Sequence, residues 1–533
     1  MSVKVPTDEQ QAIINHDGNT VVTAKPGSGK TYTIVEKISK ILPTLEDFQG
    51  VIAISFTNKA SLELRQRCHA HGINSKKSFF GTIDKFYISQ IIIPFASHLT
   101  GVSPDYEVIK EISKDGEFSG LLDATWPLAE QEEVLLENAL HEGKIFLNLT
   151  GETAMYILEK VPGAMLYIKS RYSHIIIDEY QDCGQIQDLI FTTLVSNGLT
   201  GIAVGDFNQA IFGFTNRFPT YLISLISRED FTHFKLSKNH RCHVSISEYS
   251  LGLFGASKTI PEDKRIFRVS ITGNEEQIAH AIDLRIEAIK TKYEITTNNK
   301  IAILCRNKGT IQEIASSLKT PHKIYTDTIL DKDNSDWGRL FRDILLSSLG
   351  HEIYAMDFAE QFFSEEYDPI KYRSALGLCH RIFSCDETNI NGAEADIIAL
   401  AELIHPQKRT DTTIQTLHQI LNNDDLIKNF LPASENEVNI MTLHKSKGLE
   451  FDAVFHMDVY KWIFPNEYGD EDSKIQDLNL HYVGITRAKK VCYIMNGTQR
   501  YRSKQDDFIS AEPSPFLFID GLQERRRDVF WYG

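Results

Sequence analysis

No window of the 533 residues strings together 18 apolar side chains, and the opening MSVKVPTDEQ carries no signal-peptide core. The expectation is a chain with no membrane contact that works in the cytoplasm. Cysteine is sparse: seven residues, odd in number, with no C-x-x-C pair. Cys379 and Cys385 lie near His380, but no second Cys/His pair completes a zinc set, so reduced structural thiols are the reading. A basic excess is missing too. Lys+Arg total 56 against 72 Asp+Glu, a net charge of −16. That excludes a wholly basic surface of the histone kind, while a groove with a few placed cations stays open, because phosphate contacts need little more. Internal repeats and low-complexity tracts are absent as well. Hydrophobic content of 42% and charged content of 24% are ordinary for a globular chain, and the ~100–200 residue prior allows roughly three to five domains.

What is present is organised around residues 24–31, A-K-P-G-S-G-K-T. Val21 and Val22 lead in, and Ile34, Val35, Ile38, Ile41 and Leu42 lead out at helical spacing. In a strand, glycine turn and helix of this kind, Ala24, Gly27, Ser28 and Gly29 let backbone N–H groups close around a phosphate at a helix N-terminus. Lys30 then reaches the β- and γ-phosphates of a nucleotide such as ATP, and the Thr31 hydroxyl serves Mg²⁺. Alone, the stretch also reads as a glycine-rich turn before a helix. Just upstream, Thr7 is an N-cap candidate with Asp8 and Glu9 in the first turn. The Gln10 amide in that helix suits the N6/N7 edge of adenine, or is plain surface polarity.

Further apolar runs at residues 51–55, 174–177 and 202–204 alternate with helical patterns, which predicts an α/β fold with a parallel, doubly wound sheet. Ligands bind such sheets at the carboxyl ends of strands. The polar tips Lys30, Asn58, Asp178-Glu179 and Gln209 all fall there. Asp178 is placed to hold Mg²⁺, Glu179 to take a proton from an attacking water, and Gln209 to orient that water and sense the γ-phosphate. A carboxylate pair after a strand also serves as a helix cap.

At this point a family resemblance becomes specific. In order run the Gln10 region, the P-loop, ISFTNKAS (54–61), GTIDKF (81–86), IIIDEYQD (175–182), AVGDFNQAIFGF (203–214), LSKNHRC (236–242), VNIMTLHKSKGLEFDAVF (438–455) and LHYVGITRAKK (480–490). EPSPFLFID (512–520) is similar to the family's C-terminal strand-and-tail pattern. The chain resembles the superfamily 1A helicases of the Rep/UvrD/PcrA type. The resemblance implies two RecA-like motor domains closing on one ATP with Mg²⁺, 3′→5′ movement on single-stranded or tailed DNA, and two mostly helical insertions. The implied layout is 1–94 and 164–234 for the first motor domain, 95–163 for the first insertion, 235–335 and 432–533 for the second motor domain, and 336–431 for a reduced second insertion.

The resemblance also implies residue roles. Arg241 and Arg487 match the arginine fingers at the γ-phosphate, a role that suits a guanidinium fork. Glu450 matches the ribose contact and His240 the position that stacks on adenine. Phe56, Thr57 and Asn58 match a loop that grips single-stranded DNA, and Thr82, Thr442 and His444 match backbone-contacting positions. Phe212 and Phe214 match base-stacking aromatics, although two phenylalanines at i, i+2 also make a core strand face. Three departures argue against tight DNA binding: His240 for tyrosine, Asp84 for histidine, and Thr215 for arginine. The stretch after Arg487 leaves no room for a nuclease domain. Its Arg525-Arg526-Arg527 and Val529-Phe530-Trp531 clusters read as a partner-docking tail or a frayed terminus. Two roles follow. One is a repair or defence helicase. The other is a DNA-sensing ATPase subunit like that of Gabija-type anti-phage systems, which pairs with an OLD-family nuclease and unwinds little on its own.

Overall fold

The computed structural model describes residues 5–25, 27–55, 61, 64–68, 75–206, 220–257, 259–325, 328–333, 335–350, 353–363, 365, 368–406, 408–466, 470–502, 505 and 507–532. The chain divides into two compact units, Met1–Arg241 and Cys242–Gly533.

In the first unit the strands are β1 (Thr20–Ala24), β2 (Gly50–Ile54), β3 (Phe79–Gly81), β4 (Glu107–Ile109), β5 (Lys144–Phe146), β6 (Tyr172–Ile177), β7 (Thr200–Gly205) and β8 (Thr232–Leu236). Six of them form one sheet in the order β3-β2-β6-β7-β1-β8, and every neighbouring pair is parallel. Alternation along the strands supplies both faces. Val22, Ala24, Val51, Ala53, Ile176, Ile202 and Val204 pack with Ile13, Ile34, Val35 and Ile38 of helices α1 (Asp8–Asn15) and α2 (Lys30–Ile41). On the opposite face Val21, Ile52, Ile54, Ile175, Ile177 and Ala203 meet Ile190, Phe191 and Leu194 of the helix Gln185–Ser196. Covering both faces is why these strands read as unbroken apolar runs, each buried Val or Ile contributing about 1.5–3 kcal/mol. Because β6, β7 and β1 are adjacent and parallel, their carboxyl ends lie side by side, and that positions the site.

Between β3 and β6 the chain is mostly helical, as the resemblance implied, and includes the acidic helix Glu130–His141, with β4 and β5 as a separate two-stranded parallel pair. The expected boundary at 234/235 falls inside β8, which pairs with β1, and the first unit runs on to Arg241.

The second unit has β9 (Ile266–Ile271), β10 (Ile301–Cys305), β11 (His322–Ile324), β12 (Val438–Thr442), β13 (Phe451–His456) and β14 (Ala488–Gly497). These join β17 (Arg527–Trp531) in a seven-stranded parallel sheet, order β11-β12-β10-β13-β14-β9-β17, while β15 (Gln499–Arg502) and β16 (Asp507–Ser510) form a hairpin. The closing residues are therefore neither frayed nor a free tail: Arg527–Trp531 is the sheet's edge strand, in register with Phe267–Ile271. Within residues 512–520 the structure forms a 3₁₀ turn, Pro515–Phe518, in place of the expected strand. Helices Asp336–Gly350, Pro369–Phe383, Glu394–Ile404 and Asp411–Leu421 build their own core around Trp337, Phe341, Ile344, Leu345, Ile397, Leu400 and Leu417, each helix turning one apolar face inward.

Candidate functional site

The loop between β1 and α2 has a shape only glycine permits. Gly27 and Gly29 take φ of +72° and +83°. A Cβ on Gly27 would lie 2.3 Å from Arg241 Cβ and 2.5 Å from Asn239 Oδ1, and one on Gly29 would lie 2.6 Å from Gln10 Nε2. Gly29 is the N-cap of α2, so Lys30 and Thr31 open that helix, while Ala24 ends β1 and Ser28 Oγ donates to Lys25 O at 2.7 Å. The result is a cradle at a helix N-terminus whose donor set fits phosphate.

Two segments brace the cradle. Gln10 closes a capping box, accepting from Thr7 N–H at 3.0 Å, and its Nε2 donates to Ser28 O at 3.2 Å. At 4% exposure it is not surface polarity. The residues after β8 fold over the other side. Lys25 N–H donates to Leu236 O at 3.2 Å, Ser237 N–H donates to the Glu9 carboxylate at 2.7 Å, and His240 N–H donates to Gly27 O at 2.6 Å. Arg241 thus follows directly behind a segment hydrogen-bonded to the P-loop, and the His240 ring is exposed.

The carboxylates converge from the neighbouring strand ends. Asp178 and Glu179 follow β6, and Lys30 Nζ lies 2.9 Å from Glu179 Oε2. Glu179 sits at φ +57°, a left-handed conformation that costs a non-glycine residue about 1–3 kcal/mol and aims its side chain at the P-loop lysine. Burial, the largest influence on Lys30, works to lower its pKa, but the charges of Glu179, Asp178 and Asp206 together hold it above its ordinary value. Lys30 is a firm cation. Two residues of this arrangement escaped the sequence reading, although both lie inside quoted motifs. Asp206, at the end of β7, adds the third charge. Gln181, fully buried, donates from Nε2 to Glu179 Oε2 at 2.7 Å and accepts at Oε1 from Asp206 N–H at 2.9 Å.

Of the expected DNA contacts, Phe56, Thr57, Asn58, Phe212 and Phe214 lie outside the described residues, as does Gln209. Thr82 is the N-cap of the short helix Ile83–Phe86. The Asp84 carboxylate, one of the three departures from the family pattern, accepts from Thr150 Oγ1 at 2.7 Å.

In the second unit, Glu450 and Arg487 are brought together. Arg487 NH1 donates to Leu449 O at 3.3 Å, and Phe451 N–H donates to Arg487 O at 2.9 Å, so the two bonds flank Glu450. The Arg487 guanidinium is buried and also donates to Val483 O at 3.1 Å, an arrangement the arginine-finger analogy did not foresee. Thr442 ends β12 and its hydroxyl accepts from Lys445 N–H at 3.3 Å, with His444 exposed in the same turn. Among the described residues no group of three or more His, Cys, Asp or Glu is placed to hold a metal ion.

Comparison with known proteins agrees with this geometry. The UvrD/REP helicase N-terminal domain matches residues 6–145 and 131–227, and the UvrD-like helicase C-terminal domain matches residues 379–498. Gabija protein GajB of Bacillus cereus is 27% identical over 504 residues, 92% of this chain and 96% of that protein. A probable DNA helicase II homolog of Rickettsia felis is 25% identical over 629 residues, 95% of each chain. ATP-dependent DNA helicase PcrA of Staphylococcus aureus is 22% identical over 634 residues, 96% of this chain and 85% of that one. With both domain types matched in chain order and a phosphate cradle built at the expected strand ends, the chain belongs to the UvrD-like family of ATP-dependent DNA helicases.

Proposed function

We propose that this chain hydrolyses ATP in the cradle of residues 24–31 and uses the cycle to move 3′→5′ along single-stranded DNA. The observation that carries the reading is the 2.9 Å contact between Lys30 and Glu179 at the mouth of a glycine-only phosphate loop. Backbone N–H groups of residues 27–31 bind the phosphates, and Lys30 supplies a fixed positive charge beside them. The Thr31 hydroxyl and the Asp178 carboxylate would hold a divalent cation carried with the nucleotide, Mg²⁺, which would neutralise phosphate charge. Glu179 takes a proton from the water whose oxygen bonds to the γ-phosphorus, as the bond to the β–γ bridging oxygen breaks and ADP keeps that electron pair. Gln209 orients the water, Arg241 and Arg487 offset charge developing on the γ-phosphate, and Gln10, His240 and Glu450 hold the nucleoside. Phe56, Thr57, Asn58, Thr82, Phe212, Phe214, Thr442 and His444 hold the DNA strand without reading its sequence.

A second reading of the biological role rests on the similarity to GajB, which spans 92% of this chain. In it, the protein is the DNA-sensing ATPase of a defence complex with a nuclease partner, and the net charge of −16, with Asp84 and Thr215 where the resemblance expects histidine and arginine, limits its own unwinding. Strand displacement on duplexes with a 3′ or a 5′ tail separates the two. Displacement confined to the 3′-tailed substrate supports the helicase. DNA-stimulated hydrolysis without displacement, together with a nuclease co-purifying at fixed stoichiometry, supports the complex.

A further inference from the structure

We propose that Gln181 is a positioning residue that keeps the Glu179 carboxylate oriented for catalysis by tying it to the end of β7. The inference rests on reading Glu179 as the general base. Lys30 and Gln181 both donate to the same oxygen, Glu179 Oε2, at 2.9 and 2.7 Å. They are not equivalent partners. Lys30 is the phosphate-binding cation of the proposed cycle, so its bond to Glu179 competes with the nucleotide. Gln181 has no such second task. Its other end accepts the backbone N–H of Asp206 at 2.9 Å, so it is anchored to rigid sheet rather than to a mobile side chain.

Residue type and space both support the assignment. Glu179 needs a donor and Asp206 N–H needs an acceptor, and a carboxamide supplies both at once without having to hold a proton. The approach also requires the bare backbone of Gly205: a Cβ there would lie 2.6 Å from Gln181 Oε1. A buried amide that merely filled its hydrogen bonds would leave catalysis untouched when conservatively replaced. A positioning amide would not, because general-base efficiency depends on holding the carboxylate at the proton it abstracts.

The test uses the full chain, ATP, Mg²⁺ and oligo(dT), with steady-state kinetics from pH 5.5 to 9 on Gln181→Leu, Gln181→Glu, Gly205→Ala and Glu179→Gln. Gln181→Leu is expected to lower kcat about tenfold or more while KM for ATP changes less than about threefold. Gln181→Glu sets a second carboxylate against Glu179, so the acid limb of the kcat profile moves up by about a pH unit. Gly205→Ala, which leaves Gln181 in place but crowds both its amide and Leu222 Cδ2 at 2.7 Å, reproduces the kcat loss, and thermal unfolding of each variant separates that loss from misfolding. Wild-type kcat in Gln181→Leu with an unshifted profile in Gln181→Glu overturns the proposal while Glu179→Gln is inactive. If Glu179→Gln itself turns over at the wild-type rate, the base assignment is wrong and the role of Gln181 falls with it.

Discussion

Lys30 Nζ and Glu179 Oε2 sit 2.9 Å apart, the side chains only 12% and 25% exposed, with Asp178 and Asp206 adding charge of the same sign as Glu179. In the proposed cycle Lys30 holds phosphate and Glu179 handles the proton, so removing each should fail differently. Glu179→Gln keeps the shape and a polar partner for Lys30. Nucleotide binding should stay within a few-fold while turnover falls about 10²–10⁴-fold. Fluorescent-nucleotide titration beside single-turnover hydrolysis checks this.

Gly29→Ala should damage the cradle without unfolding the chain. Its φ of +83° costs an alanine about 1–2 kcal/mol, and the new methyl meets Gln10 Nε2 at 2.6 Å. ATP affinity is expected to drop tenfold or more, with the melting temperature lowered by only a few degrees. Calorimetric titration and thermal unfolding read the two effects separately.

Lys37 is 3% exposed on α2 and donates to Ile14 O at 3.2 Å and to His16 O, satisfying the carboxyl end of α1. Lys37→Met fills the same space but orphans those carbonyls. A loss of about 1–3 kcal/mol is expected, read as a lower urea midpoint in the first unit.

Arg487→Ala should lower stability as well as activity. The buried guanidinium holds Val483 O and Leu449 O, and losing it leaves both carbonyls without that donor, a cost of about 1–3 kcal/mol. Thermal unfolding in the absence of nucleotide isolates this cost from any effect on hydrolysis.

Glu275 gives a pH dependence with a definite sign. Its carboxyl is 2% exposed, and burial, with Asp458 nearby, pushes it up to about 7 from an ordinary 4.5. Between those values the folded state holds the proton that the unfolded chain releases. The stabilisation is therefore complete below about pH 4.5 and is lost as pH rises through 7, by about 2–3 kcal/mol. Glu275→Gln keeps an acceptor for Tyr501 N–H, which Glu275 Oε2 binds at 3.1 Å. The variant should melt higher than the wild type at pH 8 and equal it near pH 4.5.

What the sequence disclosed depends on how local the physics is. Strands buried on both faces, the capped start of α1 at Thr7 and the glycine loop before Lys30 are set by neighbours within a few residues, and each was legible. Gln10 was legible as a motif residue but not as a buried brace, since its partner Ser28 is 18 positions away. Gln181 and Asp206 were harder still. Their meeting depends on β6 and β7 being adjacent, a matter of strand order that composition and spacing do not encode. Arg487 shows the limit of analogy: the motif names its family role, and only the packing reveals the carbonyls it holds. The bond from Thr150 to Asp84 spans 66 positions and was likewise beyond the reach of local pattern.

The central claim is that the Lys30 cradle drives DNA-dependent ATP hydrolysis. It is tested most directly by the ATPase rate of the full chain with and without single-stranded DNA, wild type against Lys30→Ala. The account predicts a rate that rises with DNA in the wild type and disappears in Lys30→Ala, while that variant still unfolds cooperatively and keeps its affinity for DNA. Hydrolysis that persists in a folded Lys30→Ala protein would contradict it.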